Sequence, residues 1–558
     1  MKKGVHFFSS VPAEKTVILF NYNHLDGIGD FAHFMGYAQQ FMPLAKKINI
    51  RIVPLILCSS ERKEYIETQL KSLPGHLLPF ILAMDEPQPG NDCDDQFKRF
   101  LEAEGRLRLA LQNALSIIQI STATTQKQKD CLLTYAPKNI PVVNIPEING
   151  LRCTASLRKL SVLDPRDELS ESDQAGPNIN TRWMGLYDVH YEYGIKLNPP
   201  LVRPPEEIVA SFTNQDFLHR LVGIEDTRPV TSEQLSNFLG TSQLVPAYLQ
   251  RHESTVKFVA FCIQRFQRSD KSDLVIHANK PNFDLKANYT IGVEDTRQLK
   301  IKHPNLVFEE QDGKFKMSRI EHHLIFSKVL QISGLIEIID GDKKKTIDLR
   351  QNPEEKPHKT IRLITGFHLD NDDYDQLIAM ATDIVAISGD NTFEKVLSHN
   401  KLPFLQPGKC SFEWLMKELS RIAKKYVTPA IGDAIDRYFS ENMRLDNPSR
   451  FKNLLSIDIA AVHHCWPAIM DGLRKDYNIY NHCESIFYEP MLHMSAEEGN
   501  SALLQSIYQC FPNVDFFIPN KIGQTAMSIA QGKGHHSYVN ELEKCVKEQQ
   551  GTGIIFKP

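Results

Sequence analysis

Short apolar runs rich in β-branched residues, alternating with stretches of helical periodicity, constrain this chain more than any other feature. In the first half such runs occupy 16–22, 48–57, 115–121 and 140–145, with helical stretches over 61–73 and 97–113 between them. In the second half the same grammar returns at 243–249, 273–278, 361–367 and 383–387. A strand that is followed by a helix before the next strand builds a parallel sheet with helices on its faces. The expected fold class is therefore α/β with two Rossmann-like domains, one over 1–225 and one over 226–425. The stretch 283–357 is charged and reads as an insertion without assigned chemistry. A chain of 558 residues exceeds the size at which one core stops growing, so several domains are expected.

Composition narrows the function classes. Lys and Arg number 64 against 68 Asp and Glu, a net charge of −4, which supplies no field for nucleic acid. The hydrophobic share is 42%, and no run approaches the roughly twenty apolar residues needed to span a bilayer. The start, MKKGVHFF, is basic but lacks the apolar core of a signal peptide, so synthesis and folding in a cytoplasm are expected. Ten cysteines show no CxxC pair and no zinc spacing, and read as reduced core thiols. No metal site is expected, although Asp92-Cys93-Asp94 and Asp370-Asn371-Asp372 are triples of the kind that hold one.

The candidate site lies in 383–404, DIVAISGDNTFEKVLSHNKLPF. An apolar strand enters the turn residues Ser388, Gly389, Asp390 and Asn391, and Phe393, Val396 and Leu397 then recur at helical spacing. Asp390, Asn391 or Thr392 is expected as the N-cap. The free N–H groups and positive dipole end of such a helix form an anion site that suits a diphosphate. An ordinary β-α connection has the same outline. Near the N-terminus, 16–22 runs into His24-Leu25-Asp26-Gly27-Ile28-Gly29-Asp30 and then a helix through Phe31, Phe34, Ala38 and Phe41. This is not a GxGxxG loop, so a dinucleotide cofactor is the weaker reading. Asp30 either caps that helix or faces a ligand, and His24 and His33 are further candidates.

The strand, Ser-Gly-Asp loop, Glu-bearing helix and Asn400-Lys401-Leu402-Pro403 corner resemble the nucleotide-sugar half of GT-B glycosyltransferases, and GIGDFAH resembles their first loop. The resemblance implies two domains facing across a cleft. It places the donor diphosphate on Gly389, Asp390, Asn391, Thr392 and Ser388, with Glu394 on the ribose or proximal sugar. Arg251 would bring a cation to the phosphates, and Gly366 and Phe367 would lie near the base or ribose. Gly29 would line the first loop. Asp30, or Asp26, would be the base that deprotonates the acceptor. The donor is a UDP-, GDP- or dTDP-linked sugar, and no other cofactor is implied. Leu402, between Lys401 and Pro403, departs from the family's corner.

The C-terminal region reads as all-α, with a helical connector over 426–486. From 490 the sequence PMLHMSAEEGN, followed by NKIGQTAMSIAQGKGH, resembles ankyrin repeats, placed over 487–547 with a tail at 548–558. Gly499 and Gly534 lie about one ankyrin period of roughly 33 residues apart. Such repeats bind proteins or close a stack. On a bacterial-looking transferase they imply an effector, made in the bacterial cytoplasm and exported to modify a host protein. The competing reading is a non-catalytic interaction protein with a degenerate transferase core. A hydrolase or epimerase acting on the same donors is a third.

Overall fold

The computed structural model describes residues 14–23, 29–73, 79–84, 93–120, 126–145, 179–181, 194–224, 228–278, 287–291, 309–311, 314–318, 334–350, 352, 354, 357–406, 410–442, 448–520 and 523–551. The chain divides into two compact units, Met1–Ile195 together with Tyr477–Pro558, and Lys196–Asp476. Asp26, His24 and Asp92 lie outside the described residues.

The first unit carries β1 (Thr16–Asn23), β2 (Arg51–Ser59), β3 (Phe80–Met84), β4 (Ala114–Ile120), β5 (Val142–Ile145) and β6 (Ile179–Thr181). All pair in parallel in the order β3-β2-β1-β4-β5-β6, the doubly wound order of a Rossmann sheet. Helices α1 (Gly29–Lys47), α2 (Lys63–Lys71), α3 (Cys93–Ala103), α4 (Gly105–Gln112) and α5 (Gln126–Tyr135) connect them. Both sheet faces are covered, which is why β4 is mostly apolar and is buried throughout, Ser116 and Gln119 included. Ile18, Phe20, Leu55 and Leu57 meet Phe97, Leu101, Leu107 and Leu111 of α3 and α4.

The C-terminal helices complete this unit. They are α16 (Cys483–Glu498), α17 (Ser501–Cys510), α18 (Ala526–Gly532) and α19 (His536–Gly551), counted after the second unit's helices. Phe41 of α1 stacks on Phe487 of α16 at 5.7 Å, and Tyr37 meets Tyr480 edge-on at 5.9 Å. Lys15 reaches Glu498 at 2.8 Å and Asn139 reaches Glu497 at 2.8 Å. The inner ends of the two segments are stitched together, with Ile195 N donating to Tyr477 O at 2.9 Å and Ile479 N donating to Ile195 O at 3.0 Å. Gly194 is required there: its φ is +92°, and a Cβ would lie 2.0 Å from the Tyr477 carbonyl oxygen.

In the second unit β7 (Ser242–Ala247), β8 (Asp273–Ala278), β12 (Gly334–Asp340), β13 (Lys343–Asp348), β14 (Lys359–Thr365), β15 (Ile384–Ile387) and β16 (Leu402–Leu405) form one sheet, ordered β13-β12-β14-β8-β7-β15-β16. Only the β12–β13 hairpin is antiparallel. A separate small sheet joins β9 (Ala287–Ile291), β10 (Glu309–Gln311) and β11 (Lys314–Ser318). Thus β12 and β13, within the stretch set apart in the sequence as an insertion, are members of the main sheet. β12 alternates buried and half-buried residues, which places it beside β14, whereas β13 is an edge strand whose Lys343, Lys344 and Lys345 are exposed.

The helices of this unit are α6 (Pro205–Ser211), α7 (Gln215–Val222), α8 (Ser232–Thr241), α9 (His252–Phe266), α10 (Asn371–Met380), α11 (Asp390–Ser398), α12 (Cys410–Ala423), α13 (Pro429–Asn442), α14 (Pro448–Leu455) and α15 (Ile459–Asp476). From β7 the chain winds outward through α9 to β8 and on to β14. After α10 it returns to the far side of β7 as β15.

Candidate functional site

That return makes the carboxyl ends of β7 and β15 the topological switch point, where open α/β sheets form a ligand crevice. Tyr248 N donates to Ala386 O at 2.8 Å, closing the two strands against each other. Gln406, buried just beyond β16, holds the neighbouring loops. Its N–H donates to Ile387 O at 2.9 Å, and its Oε1 accepts from Gln250 N at 2.6 Å and Arg251 N at 3.0 Å. Three adjacent strand ends are thereby tied by one residue, through its backbone N–H and its side-chain oxygen.

Each of β7 and β15 leads into a helix with no side-chain cap. α11 starts from Gly389, extended at φ −134° and ψ 155°, rather than from Asp390, Asn391 or Thr392. A glycine brings no side-chain acceptor of its own, so the first-turn N–H groups are left for another acceptor. A Cβ built on Gly389 meets nothing within 4 Å. Ser388, before it, is buried, and its Oγ has no hydrogen-bond partner. α9 starts from exposed Arg251, again without a side-chain cap. α10 differs: Asp370 Oδ1 accepts from Asp373 N at 2.8 Å, and Asp372 and Asp373 occupy its first turn. The first turn of α10 is thus already occupied by the chain's own carboxylates.

The sequence matches no known protein family and no curated protein. Solved structures do align over most of it. The N-terminal domain of trehalose-6-phosphate phosphatase from Candida albicans is 11% identical, over 88% of this chain and 99% of that one, at a TM-score of 0.40. The α,α-trehalose 6-phosphate synthase from Burkholderia multivorans gives 10%, 87%, 100% and 0.40 in the same order. The UDP-GlcNAc 2-epimerase from Neisseria meningitidis bound to UDP-GlcNAc gives 13%, 83%, 100% and 0.32. Likenesses this weak decide nothing about chemistry, which rests on the residues of the site.

Those residues divide. Ser388, Gly389, Asn391 and Thr392 stand together at the start of α11, Asn391 half-buried and Thr392 buried. Asp390 is the first residue of that helix, and its side chain is outside the description. Glu394 faces inward: it is 3% exposed, its Oε1 accepts from Lys196 N at 2.9 Å, and its Oε2 lies 2.9 Å from Lys196 Nζ. Gly366, at φ +79°, is held against the β12–β13 turn, where a Cβ would meet Asp340 Oδ1 at 2.5 Å. Phe367 packs edge-on against Phe217 at 5.5 Å. Phe217 also meets His277 at 4.8 Å. His277, near the end of β8, is fully buried with neither ring nitrogen hydrogen-bonded, and burial pushes its imidazole down to about 3.

The first unit has its own switch point between β1 and β4, whose ends are tied by Asn21 Nδ2 donating to Ile120 O at 2.9 Å. Gly29 and Asp30 begin α1 there, and His33 is buried one turn further on. Among the described residues no group of three or more His, Cys, Asp and Glu side chains has metal-site geometry. Sequence reasoning missed Gln406 and Lys196. Neither carries a local signal, because each acts on residues far away in the chain.

Proposed function

We propose that this chain is a glycosyltransferase that uses a nucleotide-diphosphate sugar. The observation that supports this reading is the pair of uncapped helix N-termini at one switch point, with the unpartnered Ser388 hydroxyl beside them. Two dipole ends, first-turn N–H groups, the Ser388 Oγ–H and the Arg251 guanidinium stabilise a departing diphosphate without calling on a metal. In the reaction the acceptor oxygen attacks the anomeric carbon. The bond from that carbon to the diphosphate oxygen breaks, and the acceptor proton passes to the Asp30 carboxylate. Asp26 is the second candidate for that base. Glu394, engaged by Lys196, positions α11 in this reading, and the ribose contact falls to other groups.

The tail supports a finer reading. α16 with α17 and α18 with α19 form two helix pairs. His493 Nε2 lies 3.0 Å from Ile518 O, His535 Nε2 lies 3.1 Å from Glu497 O, and Thr525 caps α18. We take these as a short ankyrin-type stack, although Pro490, the first residue of the motif, falls inside α16. Phe517, 58% exposed in the loop between the pairs, is the natural contact for a protein partner or acceptor. An effector that modifies a host protein fits that arrangement.

The test is thermal unfolding with UDP-, GDP- and dTDP-sugars on the natural chain and on Gly389→Asp. Aspartate fits sterically, caps α11 and repels phosphate. At about a hundred times its dissociation constant, the right donor adds about 2.7 kcal/mol of stability to the natural chain. The variant is expected to be as stable, or more stable by about a few tenths of a kcal/mol, and to lose the response. An undiminished response in the variant moves the site elsewhere. No response to any donor favours the non-catalytic interaction protein.

A further inference from the structure

The opposite, amino-terminal edge of the second sheet holds a cavity of about 550 Å³. It opens where β7, β15 and β16 begin and just before β8, roughly one strand length of about 15–20 Å from the switch point. Its charged lining is of one sign. Lys271, Lys401, Arg203 and the histidines His399 and His463 face it, and no Asp or Glu does. Among the described residues, none of the three permanent cations has a carboxylate within ion-pairing distance. Lys271 Nζ donates to Gly240 O at 2.6 Å, Lys401 Nζ donates to Ala381 O, and Arg203 donates to Ser211 Oγ at 3.2 Å. Each keeps donors to spare.

A second, independent feature points inward. Gln376 lines the cavity at 2% exposure; its Oε1 accepts from Ser211 Oγ at 3.0 Å, while its Nε2 has no partner. A buried amide with two unused N–H groups carries an uncompensated desolvation cost. An acceptor inside the cavity would relieve it. Apolar groups of Leu201, Ile208, Leu239 and Met380 make up other parts of the wall. Burial also pushes the Lys401 ammonium down to about 8, against the opposing pull of the Asp383 carboxylate.

We propose that this cavity is a second ligand site that takes a small amphipathic anion. Its carboxylate or phosphate monoester head meets the lysines and the Gln376 amide, and its apolar body lies on the Leu201, Leu239 and Met380 side. The size suits a metabolite rather than a macromolecule. This site is independent of donor binding at α11.

Isothermal titration of the full chain with octanoate, mono-octyl phosphate, octanamide and inorganic phosphate tests it. At least one of the two octyl anions is expected to bind, and the tighter one identifies the head group. Octanamide and inorganic phosphate are expected to bind at least about tenfold more weakly, the loss that goes with one charge-assisted contact. Gln376→Leu and Lys271→Met should each weaken the anion about tenfold. Lys271 is partly exposed, so its variant should fold and keep its nucleotide response. Binding of octanamide as tight as octanoate, inorganic phosphate as tight as octyl phosphate, anion binding unchanged in both variants, or no binding by either anion would each overturn the proposal.

Discussion

Glu394 shows what one side chain can conceal. Sequence resemblance put it on the ribose or proximal sugar, and its carboxylate is instead enclosed with Lys196, whose side chain is 6% exposed. Removing one member of a buried ion pair strands the other, at a cost of about 3–5 kcal/mol. Glu394→Gln and Lys196→Met are therefore each expected to lower stability by that order in urea titrations. The double variant Glu394→Met with Lys196→Met should cost clearly less than the sum. Single losses below about 1 kcal/mol would show that the pair is not what holds the 196–201 segment to α11. With the expected loss of about 3–5 kcal/mol, activity missing from a Glu394 variant would report unfolding as much as chemistry. The sequence displayed Glu394 because helical spacing is local. Lys196 was invisible in it, since the partners are 198 positions apart.

At the scale of elements, the second sheet must protect two edges. β13 does so with its row of lysines. β16 carries Pro403, which has no N–H to offer, and its open side is met by the buried Asn442 of α13. Leu405 N donates to Asn442 Oδ1 at 2.7 Å and Asn442 Nδ2 donates to Leu405 O at 3.2 Å, so one amide imitates a neighbouring strand. Asn442→Leu leaves both backbone groups unmet and should cost about 2–4 kcal/mol, with the Leu405 amide exchanging faster with solvent. Unchanged exchange at Leu405 would refute this. The central strands were legible because burial on both faces makes them continuous apolar runs. β12 was not, because its one half-buried face and its charged hairpin partner give it the look of a surface excursion. The N-cap of α11, expected at Asp390, Asn391 or Thr392, lies one to three residues earlier, at Gly389. Asp390, Asn391 and Thr392 are all good caps by residue preference and so drew the assignment, whereas Gly389 caps about as well as a Thr but brings no side-chain acceptor.

For the whole molecule, the decisive feature is that the first unit is discontinuous. The helical character of the C-terminal region was legible, but α16 also forms core of the first unit, a contact between residues more than 400 positions apart that no local pattern records. Ending the chain after Asp476 would uncover Tyr37 and Phe41, each worth about 1.5–3 kcal/mol when buried. We expect such a truncation to lose the first unit's amide protection while the second unit, continuous from Lys196 to Asp476, keeps a cooperative melting transition. Retained protection of β1 and β4 in the truncated chain would contradict this. Timing follows from the same connectivity. About 280 residues separate the two segments, so at about 5–20 residues per second a ribosome needs roughly 14–56 s between completing the first segment and starting the second. Throughout that interval the apolar face of α1 waits for a helix not yet made, and the nascent chain is a client for whatever shields exposed surface on the ribosome.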